Sequence, residues 1–223
     1  MFLCYIKPTN IPAQAVLFMD GEGNVLADKT SYNHPISTRG AVSLSTSSFK
    51  HGLSSIRMDN VGGSTLPSMM ITSESAFDFR TGDFTAECWL HQDDVIHNYP
   101  HIMVFTTPAH KFGIVFGDAG YGMQLGVSTP GAGEVFVPSV TQYATAGKWT
   151  HFAIVRSAGI YTVYIDGVSR FTQSNNADIT GPVTLWLGAK PTNGTWYGFN
   201  SGNYDDITVI KGIAKYTSNF VPE

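Results

Sequence analysis

Apolar positions along this chain come in short runs with a period of two, and each run stops at a cluster of turn residues. Ala15–Met19 is apolar and ends at Asp20-Gly21-Glu22-Gly23-Asn24, a dense turn signal. Ala41–Thr46 and Ser54–Met58 alternate. Phe84–Leu90 alternates cleanly, with Phe84, Ala86, Cys88 and Leu90 on one face and Thr85, Glu87 and Trp89 on the other. Ile102–Thr106, Lys111–Phe116, Met123–Val127 and Val135–Pro138 follow, each closed by a nearby Gly or Pro. Trp149–Arg156 and Tyr161–Ile165 are joined through Ser157-Ala158-Gly159, which predicts a hairpin. Val168–Gln173 turns back after Asp166-Gly167, a dipeptide suited to a type I′ turn. Val183–Leu187 and Tyr204–Ile210 complete the set.

No window carries a 3.6-residue period, so helix is confined to short turns around Gly212–Thr217 and Ser73–Phe77. The pattern predicts an all-β chain of about twelve to fourteen strands in two stacked antiparallel sheets. Residues 14–223 read as one domain, preceded by an N-terminal extension over 1–13 that contains Pro8 and Pro12. Phe2-Leu3-Cys4-Tyr5-Ile6 is apolar, and the two prolines keep it from joining a central strand. It is expected to dock on a neighbouring subunit or a larger particle.

Composition narrows the function classes. Only 13% of the 223 residues are charged, against the ~25% usual for soluble domains. The 13 basic residues are scattered singly and the net charge is −4, which excludes a phosphate-binding face and with it nucleic acid as a partner. No apolar run reaches the ~20 residues needed to span a bilayer, so membrane insertion is not expected. The opening MFLCYIKPTN lacks the basic n-region and long apolar stretch of a signal peptide. Cys4 and Cys88 are too few for a disulfide framework and too far apart for a zinc motif, and Cys88 reads as a small core residue. A surface this poor in charge suits contact with other molecules, outside the cytosol or inside a large assembly.

Several strings, taken in order, then acquire a meaning together. Ser43-Leu44-Ser45-Thr46 is followed by Lys50-His51-Gly52 and Ser54-Ser55-Ile56-Arg57-Met58-Asp59. Phe77-Asp78-Phe79 leads into Gly82-Asp83-Phe84-Thr85-Ala86-Glu87-Cys88-Trp89. Gly147-Lys148-Trp149-Thr150-His151-Phe152-Ala153-Ile154-Val155-Arg156 precedes Tyr164-Ile165-Asp166-Gly167-Val168. The series closes on Tyr204-Asp205-Asp206-Ile207-Thr208-Val209-Ile210-Lys211-Gly212-Ile213-Ala214-Lys215-Tyr216 and Phe220-Val221-Pro222. From about residue 15 to 222 this resembles the concanavalin A-like lectin/glucanase superfamily, in particular the laminin-G-like jelly-roll domains of bacteriophage structural proteins and bacterial surface proteins.

The resemblance implies a jelly-roll sandwich and a non-enzymatic virion protein: an appendage, fibre or capsid decoration on the particle surface. Its partners would be other virion proteins or copies of itself, with adhesion to a host-surface glycan. A free carbohydrate-binding lectin module is the alternative, and a glycoside hydrolase the second. Glucanases of the superfamily carry Glu-x-Asp-x-Glu on one strand, which sets acid and nucleophile on one face. Glu87 occupies a family-typical strand position, but neither Thr85 nor Trp89 supplies a second carboxylate, so no hydrolytic machinery is expected.

Three groups of residues remain as candidates. Trp196-Tyr197, with Asn200 and Asn203 in the same Gly-rich stretch, has the aromatic-plus-amide composition of a sugar platform, and Asp118 with Tyr121 forms a second such group. The other reading of these rings is a sandwich edge or subunit contact. The resemblance implies a structural calcium held by Asp205 and the carbonyl of Gly52; the other reading is that Asp205 caps a neighbouring strand end. His91, His97, His101 and His110, near Asp93 and Asp94, have no regular ligand spacing and read as a solvated loop. His151 shares a face with Trp149, Ala153 and Val155 and is expected buried and hydrogen-bonded rather than catalytic.

Overall fold

The computed structural model describes residues 11–60, 65–73, 75–93, 101–118, 123–131, 134–137, 146–192, 194–198 and 201–223. The strands in chain order are β1 (Ala15–Met19), β2 (Ile36–Arg39), β3 (Ala41–Ser45), β4 (Ser55–Asp59), β5 (Ser68–Ser73) and β6 (Phe84–Gln92). They continue with β7 (His101–Thr106), β8 (Lys111–Asp118), β9 (Met123–Ser128), β10 (Glu134–Val137) and β11 (Trp149–Ser157). The last five are β12 (Ile160–Ile165), β13 (Val168–Ser174), β14 (Val183–Thr192), β15 (Thr195–Gly198) and β16 (Gly202–Lys211).

Two antiparallel sheets result. The first runs β13-β12-β11-β6-β16-β4-β3, with β1 also paired to β16. The second runs β10-β9-β8-β7-β14-β5-β2, with β15 folded back on the end of β14. This is the expected jelly-roll sandwich. Strand positions agree with the period-two reading, while β2, β5 and β15 are additional. No helix occurs among the described residues, and neither Gly212–Thr217 nor the described part of Ser73–Phe77 is helical. Most of the 1–13 extension lies outside the described residues.

The core lies between the sheets. The face of β6 made by Phe84, Ala86, Cys88 and Leu90 points into it, with Met69 and Ile71 of β5 and Leu185 and Leu187 of β14 among its facing residues. Phe77, Phe79, Phe84, Phe105 and Phe112 form one aromatic cluster; Phe79 and Phe84 stack at 4.5 Å and Phe105 and Phe112 at 4.9 Å between centroids. Such pairs contribute about 0.5–1.5 kcal/mol each beyond the area they bury. Burial pushes the Cys88 thiol well above its ordinary range, so it behaves as an inert core residue.

One polar bolt crosses the core. Tyr204 of β16 is fully buried, and its hydroxyl donates to the Ile102 carbonyl of β7 at 2.7 Å while accepting the Gly188 N–H of β14 at 3.2 Å. Gly188 has φ +86, and a Cβ there would press on Met58 Sδ and the Pro67 carbonyl, each 2.7 Å away. A glycine is therefore required where β14 kinks past the tyrosine.

Both faces of β6 are buried, although its sequence alternates. Thr85, Glu87 and Trp89 point away from the core and are covered by the C-terminal segment, whose Ala214, Tyr216 and Phe220 pack on Ala153, Val155 and Tyr164. The Asp166-Gly167 turn has positive φ at both residues (48° and 73°), as a type I′ turn demands. Its Gly167 also accepts the Phe220 N–H at 2.9 Å, which seats the segment on the hairpin.

Candidate functional site

The second sheet brings Trp196 to a place that the sequence alone did not define. Along β14, Val183, Leu185 and Leu187 face the core, so Thr184 and Trp186 face outward. In register beside Trp186 stands Met70 of β5, and beside Met70 stands Ser37 of β2. The β14–β15 hairpin then returns Trp196 to this face. Its ring meets that of Trp186 at 6.1 Å and an interplanar angle of 66°. The guanidinium carbon of Arg39, from the end of β2, lies 4.0 Å from the centroid of the Trp196 ring. All three side chains are half-buried. Trp186 Nε1 donates to Thr106 Oγ1 at 3.0 Å, and Arg39 Nη1 donates to the Leu66 carbonyl at 2.7 Å. Two indoles and a guanidinium are thus held in fixed positions on an accessible sheet face.

The other residues expected with Trp196 divide. Tyr197 is its neighbour on β15, and its carbonyl accepts a bond from the His101 ring at 3.1 Å. Asn203 does not join them: it lies in β16 of the first sheet, buried, donating to Ser55 Oγ and Ser48 O and accepting from Arg57. Asn200 and Tyr121 lie outside the described residues. Asp118 ends β8, with two strands, β7 and β14, between it and β5; its side chain is likewise outside what is described. Arg39, Trp186 and Met70 were not anticipated as a group. A Trp in an alternating strand marked a sheet face, but only the register set β2 and β15 beside it.

Asp205 has a different setting from the calcium cradle that the resemblance implies. Its Oδ2 accepts the backbone N–H groups of Lys50 (2.9 Å) and His51 (3.1 Å), and its Oδ1 accepts that of Asp206 (2.9 Å). Next to it, Glu22 Oε1 accepts the N–H groups of Leu53 (2.6 Å) and Ser54 (2.8 Å). Gly52, at φ +68, lies against that same carboxylate, where any Cβ would collide. Calcium needs six to eight oxygen ligands. This loop instead turns its amide hydrogens toward two carboxylates, so the donor set does not fit the ion. Among the described residues no three His, Cys, Asp or Glu side chains converge. Burial, with the Asp206 charge beside it, pushes the Asp205 carboxyl up to about 8 despite its three N–H donors.

The histidine segment is less solvated than its composition suggested. His91 belongs to β6 and leans on Trp149, while His101 opens β7 and is buried. His97 and Asp94 lie outside the described residues. His151 is buried as expected, its ring Nε2 3.4 Å from Glu87 Oε2.

Glu87, at its family-typical strand position, is committed to the C-terminal segment and to His151. Its Oε1 accepts Lys215 Nζ at 2.7 Å and its Oε2 accepts the Tyr216 hydroxyl at 2.7 Å. Burial opposes its charge, but the His151 hydrogen bond and the Lys215 charge outweigh it and hold the carboxyl at about 2. The glutamate with an acid two places away is Glu22, beside Asp20 in the first turn. Asp20 is tied to Lys29 and Glu22 to the 50–54 loop, so they anchor loops rather than flank a cleft.

Comparison with known proteins follows the same lines. A family model described as the concanavalin A-like lectin/glucanases superfamily, of the laminin G type, matches residues 67–212. No curated protein sequence matches the chain. Among solved structures, domain 4 of AbnA, a GH43 extracellular arabinanase from Geobacillus stearothermophilus solved with arabinotriose, is similar at 16% identity and a TM-score of 0.65. That match covers 89% of this chain and 93% of that one. The binding domain of botulinum neurotoxin DC, solved in complex with SialylT, is similar at 15% identity and a TM-score of 0.59 over 90% of this chain. The binding domain of Paraclostridial Mosquitocidal Protein 1 is similar at 13% identity and a TM-score of 0.59. The chain spans about half the length of the two toxin domains (49% of each). At such identities the likeness is one of fold.

Proposed function

The chain belongs to the concanavalin A-like lectin/glucanase superfamily, and from that premise we propose that it is a non-catalytic jelly-roll module that binds glycan on the Trp186–Trp196–Arg39 platform. The observation that carries the reading is the pair of half-buried indoles set edge to face on an outer sheet surface. Sugars present an apolar ring face, which stacks on an indole, and hydroxyls, which need polar neighbours. Ser37, Thr72 and Thr184 line the same face, and the last two already pair through their hydroxyls at 2.8 Å. The arabinanase domain solved with arabinotriose adds support, because the likeness extends over nearly its whole length.

The non-catalytic half of the proposal is supported by where the carboxylates are. Glycosidases need two of them flanking the scissile bond. Strands β2, β5, β14 and β15, which build the platform, contain neither Asp nor Glu. Glu87 is on the other sheet, closed off by Lys215 and Tyr216. A glycan array probed with the intact chain and with Trp196→Ala tests the proposal: binding that Trp196→Ala abolishes is expected, and a blank array would contradict it.

We also read the chain as a component of a bacteriophage particle surface, held there by virion partners or by copies of itself. Its support is the ordered series of strings and the surface poor in charge. Recovery of the chain by mass spectrometry from purified particles is expected. A chain found only outside particles would favour the free lectin instead.

A further inference from the structure

Beyond stacking, the platform offers a cation. Arg39 sits over Trp196 with its guanidinium carbon 4.0 Å from the ring centroid, and one nitrogen is anchored on the Leu66 carbonyl. Among the described residues it has no carboxylate partner. A guanidinium stays charged at every accessible pH, and when stacked on an indole it keeps its N–H edge in its own plane, clear of the ring.

The distribution of charge among the strands makes this cation informative. Strands β2, β5, β7, β14 and β15 together hold no Asp or Glu. The carboxylates Asp59, Glu87, Asp205 and Asp206 fall on β4, β6 and β16 of the first sheet, and the strand acids of the second sheet, Asp118 of β8 and Glu134 of β10, lie beyond β7 from β14. A chain with a net charge of −4 thus has no anion on the strands around Trp196, and among the described residues the arginine there is uncompensated. A neutral sugar gives no reason for that arrangement, since hydroxyls are served equally well by uncharged partners. A carboxylate or sulfate does, because it pairs bidentately with a guanidinium edge and would be repelled by neighbouring acids.

We infer that the platform selects acidic saccharides, sugars carrying a carboxylate or a sulfate, and that Arg39 is its specificity-determining residue; this rests on the platform's being the glycan site. The sugar ring stacks on indole while its anionic group meets the free edge of Arg39, whose position is fixed by Trp196 on one side and Leu66 on the other.

The test uses matched pairs on one array: sialylated and asialo glycans, oligouronates and their methyl esters, sulfated and desulfated chains. The intact chain is expected to bind the acidic member of its preferred pair about tenfold or more strongly, a preference that falls with added salt. Arg39→Gln should erase the preference, weakening the acidic member about tenfold more than the neutral one, and Arg39→Lys, with charge but no fork, should keep part of it. Trp196→Ala should lose both members. Equal binding within pairs, or a preference that survives Arg39→Gln, overturns the role of Arg39 and leaves the platform standing. Absence of any Trp196-dependent binding overturns the platform and the inference together. Thermal melting of each variant establishes that it is folded, and Arg39→Lys decides the matter should Arg39→Gln melt early.

Discussion

The hydroxyl of Tyr216 donates to Glu87 Oε2 at 2.7 Å, and this bond joins the last segment of the chain to the outer face of the first sheet. Lys215 takes the other carboxylate oxygen, and the Trp89 indole donates to the Glu223 carbonyl at 3.2 Å. Glu87 thus serves as the anchor of a strap. The strap explains why β6, alternating in sequence, is buried on both faces.

The anchor makes stability depend on acid. Glu87 has a folded value of about 2 against 4.5 for the free group. The folded value is the lower one, so its contribution is complete above about pH 4.5 and is lost as pH falls toward 2. Up to about 3 kcal/mol lies in that window. Urea midpoints measured from about pH 6 to pH 3 should drop more steeply for the parent than for Glu87→Gln; parallel curves would contradict the assignment.

Asp205 has the opposite sign. Its folded value of about 8 lies above the free 3.8, so its contribution is complete below about pH 3.8 and is lost as pH rises through 8. Between about pH 5 and 8 the parent should lose stability, and Asp205→Asn should show a flatter profile in the same urea titrations. A profile of unchanged slope in the variant would show that Asp205 is not the titrating group.

The same loop predicts indifference to calcium. Because Lys50, His51 and Asp206 already donate to both oxygens of Asp205, melting temperature in millimolar calcium should equal that in EDTA. A higher Tm in calcium would show that the loop rearranges to offer carbonyls.

The bolt between the sheets can be tested by one atom. Tyr204→Phe leaves the Gly188 N–H without the hydroxyl it now bonds and takes the 2.7 Å donor from the Ile102 carbonyl. The expected loss is about 1–3 kcal/mol in chemical denaturation, since the ring remains and only buried hydrogen bonds go.

Much of this fold is legible in the sequence. Phe84–Leu90 gave its strand, its core face and the burial of Cys88, because period two is a direct geometric consequence of the pleat. Asp166-Gly167 gave its turn for an equally local reason. The strands not anticipated were β2, with Ser37, Thr38 and Arg39 exposed or half-buried; β5, whose Met69-Met70-Ile71 run does not alternate; and the four-residue β15. Those three supply Arg39, Met70 and Trp196, so the candidate site stayed hidden where local pattern is weakest. Trp196 was recognised by type, yet its partners depend on which strands pair with β14, a long-range property that no window of sequence holds. Asn203 was grouped with it by nearness in the chain, and the crossing from β15 to β16 carries it into the other sheet.

Trp186 and Trp196 are proposed as the surface that meets the sugar, and the four tryptophans of the chain allow this to be read directly. Indole N–H resonances followed by 15N-correlated NMR, assigned by single Trp→Phe variants, would be titrated with the glycan that leads the array. Shifts at Trp196 and Trp186, with Trp89 and Trp149 unmoved on the first sheet, are the predicted result. Shifts confined to Trp89 or Trp149, or no shift at Trp196 while the glycan binds, would place the site elsewhere and overturn the platform.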